Sequence, residues 1–240
     1  MPERAAIVTG ASRGIGLAIA DVLGQEGYGL TITARKPEGL DAAAAELSGR
    51  GYDVQSVQAN MNDEEGIIGV VAAHRERFGR LDALVNNAGV GIGAAADAHQ
   101  TKRVDMQLDV NIRAVILFYR ECAEMLKAAG AEHRQALVIN LASIAGKSGQ
   151  AWLSVYSATK FAVVGYTQAM NKELGTAGIK SVAFCPGFVD TAMTEFAREH
   201  VKAEDMIRPE DIGEAARFLL RLSPACVVPE IVFQRPDEVL

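Results

Sequence analysis

The chain has 240 residues, of which 49% are hydrophobic and 22% charged, an ordinary composition for one globular domain. Its formal net charge of −6 argues against a nucleic acid or an anionic membrane as the main partner. The sequence has no transmembrane-length apolar stretch, no signal-type leader and no CxxC pair among its three cysteines, so we expect a cytoplasmic protein.

Short apolar runs alternate with longer helical stretches along the chain. The predicted strands are Ala5–Thr9, Leu30–Ala34, Val54–Gln58, Leu81–Asn86, Ala136–Asn140, Ser181–Cys185 and Ile231–Phe233. The predicted helices are Gly14–Glu26, Asp63–Phe78, Thr101–Ala129, Val155–Thr176 and Pro209–Leu222. Such alternation is typical of βαβ units with right-handed crossovers. We therefore expect a single α/β domain over residues 1–240, of the doubly wound Rossmann type, with a mostly parallel seven-stranded sheet and helices on both faces.

A glycine-rich turn, TGASRGIG, follows the first predicted strand. Gly10 permits a sharp turn, while Gly14 and Gly16 let the backbone approach a phosphate and let the next helix pack close to the sheet. The amino-terminal end of that helix offers unpaired N–H groups to a pyrophosphate. The alternative is a tight turn with nothing bound. The position of the motif in the first βα turn favours a dinucleotide.

The residues after the second predicted strand indicate which dinucleotide is bound. An acid there would hold the ribose 2′-hydroxyl of NAD, but Ala34 occupies this position and Arg35 and Lys36 follow it. Arg13 lies inside the glycine turn. Arginines can bind a 2′-phosphate through two parallel hydrogen bonds, which favours NADP (NADPH) and makes NAD the weaker candidate. The alternative is that Arg35 is a solvated charge at a strand end.

Six motifs occur in a fixed order along the chain. They are TGASRGIG at 9–16, NNAG at 86–89, Asn111 in DVNIRAV, Ser143 in INLASIAG, YSATK at 156–160 and PGFVDT at 186–191. Together they resemble the short-chain dehydrogenase/reductase family, and with Arg35 its NADP-preferring members. The resemblance extends from residue 5 to about residue 220.

The resemblance implies four catalytic residues: Asn111, Ser143, Tyr156 and Lys160. Tyr156 would donate or remove a proton at the carbonyl or alcohol oxygen, and Lys160, one helical turn on, would lower its ordinary pKa of about 10. Ser143 would hydrogen-bond the substrate oxygen, and Asn111 would mark a helix distortion that holds a water linked to the lysine. The alternatives are a turn serine, an ordinary helix asparagine and an exposed Tyr–Lys pair.

The resemblance also implies a set of cofactor contacts. These are Gly10, Ser12, Arg13, Gly14, Ile15, Gly16, Arg35, Asn60, Met61, Asn87, Ala88, Gly89, Tyr156, Lys160, Pro186, Gly187, Val189 and Thr191. The backbone of Val189 and the hydroxyl of Thr191 would hold the nicotinamide carboxamide. Asn60 departs from the aspartate common in the family, but its carbonyl can still accept a hydrogen bond from adenine.

The function implied is an NADP(H)-dependent oxidoreductase that transfers a hydride between nicotinamide and a carbonyl or secondary alcohol. The alternative is a catalytically silent relative that binds NADP as a sensor or assembly subunit. The four histidines have no ligand spacing, so we expect no metal. The resemblance further implies a homodimer or homotetramer formed through the two long helices, with Val115, Phe118, Phe161 and Val164 as the apolar candidates.

The substrate is predicted only as a class: a small ketone, aldehyde, hydroxy acid or 3-oxoacyl thioester. The carboxyl-terminal segment SPACVVPEIVFQRPDEVL departs from the family's common ending and weakens the thioester hypothesis. Three regions would select the substrate: a lid around 188–207, the segment Gly91–Gln100, and the surroundings of Trp152 and Leu153. Phe188, Met193, Phe196 and Met206 of the lid predict a partly apolar pocket; the alternative is that they pack the lid onto the body of the domain. Trp152 could instead serve packing or an interface.

Overall fold

A computed structural model of the chain describes residues 2–195, 198 and 201–236. Its strands are β1 Arg4–Thr9, β2 Tyr28–Ala34, β3 Val54–Gln58, β4 Ala83–Asn86, β5 Ala136–Leu141, β6 Ile179–Pro186 and β7 Glu230–Phe233. They form one seven-stranded sheet in the order β3-β2-β1-β4-β5-β6-β7. Each pair of neighbouring strands is parallel. The predicted Rossmann-type sheet is confirmed.

Seven α-helices connect and follow the strands in the described part of the chain. They are α1 Gly14–Gln25, α2 Pro37–Gly49, α3 Glu64–Phe78, α4 Thr101–Leu108, α5 Ala114–His133, α6 Ser154–Leu174 and α7 Pro209–Leu220. The prediction of one continuous helix over Thr101–Ala129 is wrong in detail, because a π-helical turn at Asp109–Arg113 separates α4 from α5. Helix α2 is absent from the prediction; it buries only Leu40, Ala43 and Leu47, so its apolar pattern is weak.

The helices cover both faces of the sheet, as predicted. Side chains alternate along β1, so that Ala6 and Val8 enter one hydrophobic core while Ile7 enters the other. The first core receives α1, α2 and α7, represented by Ile19, Leu47 and Ile212. The second core receives α3, α5 and the end of α6, represented by Ile67, Phe118 and Met170. The sheet is therefore shielded from water on both sides, and its carboxyl edge remains available for a ligand.

The strand order places a topological switch point between β1 and β4. These strands are neighbours in the sheet, while the chain leaves β1 toward β2 on one side and leaves β4 toward β5 on the other. Ligands of open parallel sheets bind in the crevice at such a point, beyond the carboxyl ends of the strands. The glycine turn follows β1 and the NNAG motif ends β4, so both motifs border this crevice.

A buried histidine beneath the sheet makes stability depend on pH. His74 of α3 is fully buried, with Nδ1 2.7 Å from Thr31 Oγ1 and Nε2 2.8 Å from the Arg80 carbonyl oxygen. Burial lowers its pKa from 6.5 to about 4. Between these values the unfolded chain binds the proton and the folded chain does not. Stability should therefore fall as the pH drops from 6.5 toward 4, by up to roughly 3 kcal/mol.

Urea unfolding of the wild type and of His74→Gln at about pH 7 and about pH 4.5 measures this effect. The free energy of unfolding of the wild type should fall by more than that of the variant, because only the wild type carries the buried imidazole. Groups common to both proteins cancel in the comparison. Equal losses in the two proteins would contradict the assignment to His74.

Candidate active site

The glycine turn and the end of β4 are locked together by one side chain. Asn87 Nδ2 donates to the carbonyl oxygens of Thr9, at 2.8 Å, and Gly10, at 3.0 Å. A Cβ atom at Gly10, where φ is +65°, would lie 2.8 Å from this nitrogen, and one at Gly16 would lie 2.4 Å from it. Both positions therefore exclude any side chain, and Asn87 holds the glycine turn against the end of β4.

The start of α1 is suited to an anion. Arg13 occupies the N-cap position without a capping side-chain hydrogen bond, and the first turn carries no acidic residue. The first N–H groups of the helix are therefore free to bind a ligand. A Cβ at Gly14, where φ is +57°, would lie 3.1 Å from Thr191 Cγ2. Thr191 of the PGFVDT motif thus borders the glycine turn, as expected for residues that contact one cofactor.

The residues predicted to select the cofactor lie at neighbouring strand ends. Arg13 and Arg35 are exposed, whereas Ala34, the last residue of β2, is buried and contributes only a methyl group. Asn60 and Met61 follow β3, with Asn60 exposed and Met61 buried. This edge therefore carries two exposed guanidinium groups, and the position that would bind the ribose of NAD has no acid.

Asn111 lies in the π-helical turn between α4 and α5, so the predicted helix distortion is confirmed. Its Oδ1 accepts from Val90 N at 2.8 Å, and its Nδ2 donates to Val90 O at 2.9 Å and to Thr159 Oγ1 at 3.0 Å. A Cβ at Gly89 would lie 3.4 Å from Asn111 Oδ1 and 3.5 Å from Lys160 Nζ. Asn111 and Lys160 therefore flank the same glycine.

Ser143, Tyr156 and Lys160 converge beyond the end of β5. Ser143 hydrogen-bonds Tyr156, and its Oγ also accepts from Ala145 N at 3.1 Å. Lys160 is buried, its Nζ donates to Leu141 O at 2.6 Å, and it lies 5.5 Å from the centroid of the Tyr156 ring. The three predicted catalytic side chains are thus brought together, with Asn111 linked to the same helix through its bond to Thr159.

The predicted direction of the Tyr156 pKa is wrong for this structure. Burial raises the pKa of Tyr156, and the hydrogen bond from Ser143 opposes that rise only in part. Burial also lowers the pKa of Lys160 from 10.5 to about 8. The prediction fails because Lys160 Nζ donates its hydrogen bond to the Leu141 carbonyl oxygen. Burial also disfavours both the phenolate form of Tyr156 and the ammonium form of Lys160. Tyr156 is accordingly a neutral phenol at neutral pH.

The PGFVDT motif forms the base of the predicted lid. Pro186 ends β6, Gly187 N donates to Phe233 O at 2.9 Å, and buried Val189 forms a parallel bridge with Ile207. Both ends of the segment around 188–207 are therefore pinned to the body of the domain. Phe196, predicted to contribute to an apolar pocket, lies outside the described residues.

Several contacts at the site are absent from the sequence predictions. Thr159 Oγ1 donates to Tyr156 O at 2.7 Å and accepts from Asn111, so the small residue inside YSATK connects two predicted catalytic residues. Gln107 is buried in α4, and its Oε1 accepts from Ile92 N at 3.1 Å. A polar residue on the buried face of an amphipathic helix is the signal that could have identified Gln107.

Two features of the described residues bear on metalloproteins and membrane proteins. Within the described residues, no three or more His, Cys, Asp and Glu side chains are grouped so that they could hold a metal ion. None of the helices in this part of the chain combines the length and hydrophobicity needed to cross a membrane.

A doubly wound sheet with a glycine turn at its switch point and a Tyr–Lys pair beside it defines an oxidoreductase. A family model described as short chain dehydrogenase matches residues 4–202. A Streptomyces coelicolor protein named as a ketoacyl reductase is 41% identical over 246 aligned residues, with 94% of this chain and 93% of the relative covered. The chain belongs to the short-chain dehydrogenase family.

Solved structures agree with this assignment. A variant of actinorhodin polyketide ketoreductase, solved with NADPH, superposes with a TM-score of 0.86 at 33% identity, and 95% of each chain is covered. The alcohol dehydrogenase of the archaeon Thermococcus sibiricus, solved with 5-hydroxy-NADP, gives a TM-score of 0.87 at 28% identity, covering 98% of this chain and 99% of that one. The similarity therefore spans the whole fold.

Proposed function

We propose that the protein is an NADPH-dependent reductase that converts a ketone, with a 3-oxoacyl thioester as the first candidate, into the secondary alcohol. The observation that carries the proposal is the convergence of Ser143, Tyr156 and Lys160, with Asn111 across Gly89, beside the glycine turn. The Streptomyces coelicolor relative named as a ketoacyl reductase supports the substrate class. This similarity outweighs the argument against a thioester substrate that came from the unusual carboxyl-terminal segment.

The residues at the switch point fit a dinucleotide. A Cβ atom at Gly10, Gly14 or Gly16 would lie 2.4 to 3.1 Å from Asn87 or Thr191, so the turn carries no side chain there, and the start of α1 presents its N–H groups. We assign the 2′-phosphate to Arg13 and Arg35, the pyrophosphate to the glycine turn, adenine to Asn60 and Met61, and the ribose and nicotinamide to the remaining predicted contacts. The NADPH bound by the actinorhodin ketoreductase variant supports the choice of cofactor.

In the proposed mechanism, Ser143 and Tyr156 donate hydrogen bonds to the substrate carbonyl oxygen and stabilise the negative charge that develops there. When bound, the nicotinamide supplies the hydride. Tyr156 then transfers its phenolic proton to the oxygen, which its raised pKa permits because the phenol is protonated at neutral pH. Lys160 would return a proton to Tyr156, and Asn111, near the same glycine, would hold the water that resupplies the lysine.

Arg35→Ala is expected to weaken NADPH binding about 10- to 100-fold and to leave NADH binding nearly unchanged, because only NADPH carries the 2′-phosphate. Fluorescence titration of each cofactor measures both dissociation constants. Lys102→Ala, which removes an exposed positive charge from α4, controls for net charge. Equal losses for the two cofactors would rule out the 2′-phosphate role.

A panel of ketones, aldehydes, quinones and acetoacetyl thioesters, each incubated with NADPH, tests the reaction. Oxidation of NADPH with formation of the matching alcohol supports the proposal, and the relative rates identify the substrate class. Tight binding of NADPH with no alcohol from any member of the panel would favour the catalytically silent relative instead.

We also propose a homodimer or homotetramer that uses the long helices. Of the four apolar candidates, Val115, Phe118 and Val164 pack within the chain's own cores, whereas the Phe161 side chain is exposed. Leu108 and Ile116 are also exposed on α4 and α5. Sedimentation equilibrium of the wild type and of Phe161→Glu tests this arrangement, since a charge in the interface would dissociate the assembly.

A further inference from the structure

The chain that follows NNAG is anchored through its alternate residues. Three backbone N–H groups donate to side chain or backbone oxygens of other elements: Val90 N to Asn111 Oδ1 at 2.8 Å, Ile92 N to Gln107 Oε1 at 3.1 Å, and Ala94 N to Trp152 O at 2.9 Å. Two of the acceptors are buried amide side chains. The segment 90–94 is therefore a fixed part of the site rather than a free loop.

Two aromatic rings pack against the glycines that lie between these anchored residues. A Cβ at Gly91 would lie 3.6 Å from Tyr156 Cδ2, whereas a Cβ at Gly93 would lie 2.3 Å from Trp152 Cε3. The indole therefore lies flush on the Gly93 backbone. Two residues of chain span at most about 7 Å, so the Trp152 ring and the ring of the proposed proton donor pack against the same short segment.

Trp152 combines two unfavourable features. Its φ is +67°, in the left-handed region that bulky residues rarely adopt, and 62% of the residue is exposed. Backbone strain persists where the surroundings impose it, and it occurs preferentially at ligand sites. Here the only tryptophan of the chain is held with one part of its ring on Gly93, while much of the residue is exposed to solvent.

We propose that Trp152 is a stacking wall that selects carbonyl substrates bearing a planar aromatic or conjugated group next to the carbonyl. This inference rests on the proposed function, because the wall is placed relative to Tyr156. An indole face held still by Gly93 and the anchored segment loses little freedom on stacking, and offset aromatic pairs are favoured beyond the hydrophobic contribution of their area. A puckered saturated ring of the same size cannot lie flat against it.

The test compares naphthyl methyl ketone with decalyl methyl ketone, which share a carbon skeleton and differ in planarity. Each is titrated calorimetrically into the protein saturated with NADP⁺, which cannot reduce a ketone, so binding is measured without turnover. The ratio of the two dissociation constants should favour the planar ketone in the wild type. In Trp152→Ala this ratio should change about three- to tenfold, in the direction of weaker relative binding of the planar ketone.

Two further variants make the comparison specific. Gly93→Ala retains the indole but forces it away, since the added methyl group would lie 2.3 Å from Cε3; it should shift the ratio in the same direction. Phe218→Ala removes an exposed aromatic side chain from α7 and should leave the ratio unchanged. Thermal unfolding of each variant establishes that it is folded. The emission of the only tryptophan should also change when the planar ketone binds.

The outcomes separate this inference from the proposed function. An unchanged ratio in both Trp152→Ala and Gly93→Ala, or no binding of either ketone to the wild type, would overturn the stacking wall. Reduction of ketones by NADPH without a preference for the planar ketone would support the reductase and contradict the stacking wall. A preference for the planar ketone that depends on Trp152, without reduction of any carbonyl, would support the stacking wall and contradict the reductase.

Discussion

Tyr156→Phe is expected to lower kcat for ketone reduction about 10³-fold while NADPH binds with nearly unchanged affinity. The change removes one hydroxyl that donates both a hydrogen bond and a proton to the substrate oxygen, and positioned acid catalysis contributes roughly 10²- to 10⁴-fold. The ring itself, which packs against Gly91, is retained. Steady-state rates and a fluorescence titration with NADPH measure the two quantities separately.

The matched control is Tyr166→Phe, ten residues later on the same helix. Tyr166 packs edge-on against Tyr119 at a centroid distance of 5.3 Å, away from the proposed site. Its loss should leave kcat within a few-fold of the wild type. If Tyr156→Phe retained a wild-type rate, the assignment of the proton donor would be wrong; if it lost NADPH binding, the tyrosine would belong to the cofactor site alone.

Lys160→Met should reduce kcat/KM about 10²- to 10³-fold, because it removes the ammonium group that lies beside Tyr156 and Gly89. The chain offers Lys180→Met as a control. Lys180 is also largely buried, and its Nζ donates to Ser223 O at 2.6 Å, but it lies near the amino-terminal end of β6, outside the site. A similar loss of activity in both variants would indicate general damage rather than a role for Lys160.

Lys160→Met should also change how the free energy of unfolding depends on pH. The pKa of Lys160 is lowered from 10.5 to about 8, so between these values the unfolded chain binds the proton and the folded chain does not. The wild type should therefore gain stability relative to Lys160→Met as the pH rises through this window, by up to roughly 3 kcal/mol. Urea unfolding of both proteins at about pH 7.5 and about pH 9.5 measures the gain, and parallel curves would contradict it.

The alternating apolar pattern was sufficient to predict the sheet and the placement of helices on both faces. The strand bounds differ by no more than two residues at either end, because a buried parallel strand is a continuous apolar run with polar ends. Helix α2 was not predicted, although Pro37 at its start and Gly49 at its end are helix signals. Its three buried residues form too narrow a stripe to be recognised from periodicity alone.

The sequence predicted that Ser143, Tyr156 and Lys160 lie together, as the structure shows, but it did not predict their electrostatics. The resemblance implied a helix distortion at Asn111, and the π-helical turn Asp109–Arg113 confirms it. The pKa of Tyr156 was predicted in the wrong direction, because a spacing of four residues gives proximity to Lys160 but not the burial of both groups or the bond to Leu141 O. Burial depends on tertiary packing, which the local sequence does not contain.

The contact between Gly93 and Trp152 could not be predicted from the sequence. The residues are 59 positions apart, and their meeting depends on the positive φ of Trp152 and on the side chain of Gln107 that holds the segment between 90 and 94. The sequence drew attention to both regions as candidates for substrate selection. Only the structure brings them together beside Tyr156.

The most direct test of the proposed reductase is a transfer experiment with an acetoacetyl thioester and NADPH that carries deuterium at both C4 positions of the nicotinamide. The proposed function predicts that one equivalent of the hydroxyacyl product forms for each NADPH oxidised, with deuterium on the carbinol carbon of the product, and that Tyr156→Phe forms almost none. Product with no deuterium, or no product from a protein that binds NADPH tightly, would contradict hydride transfer at this site.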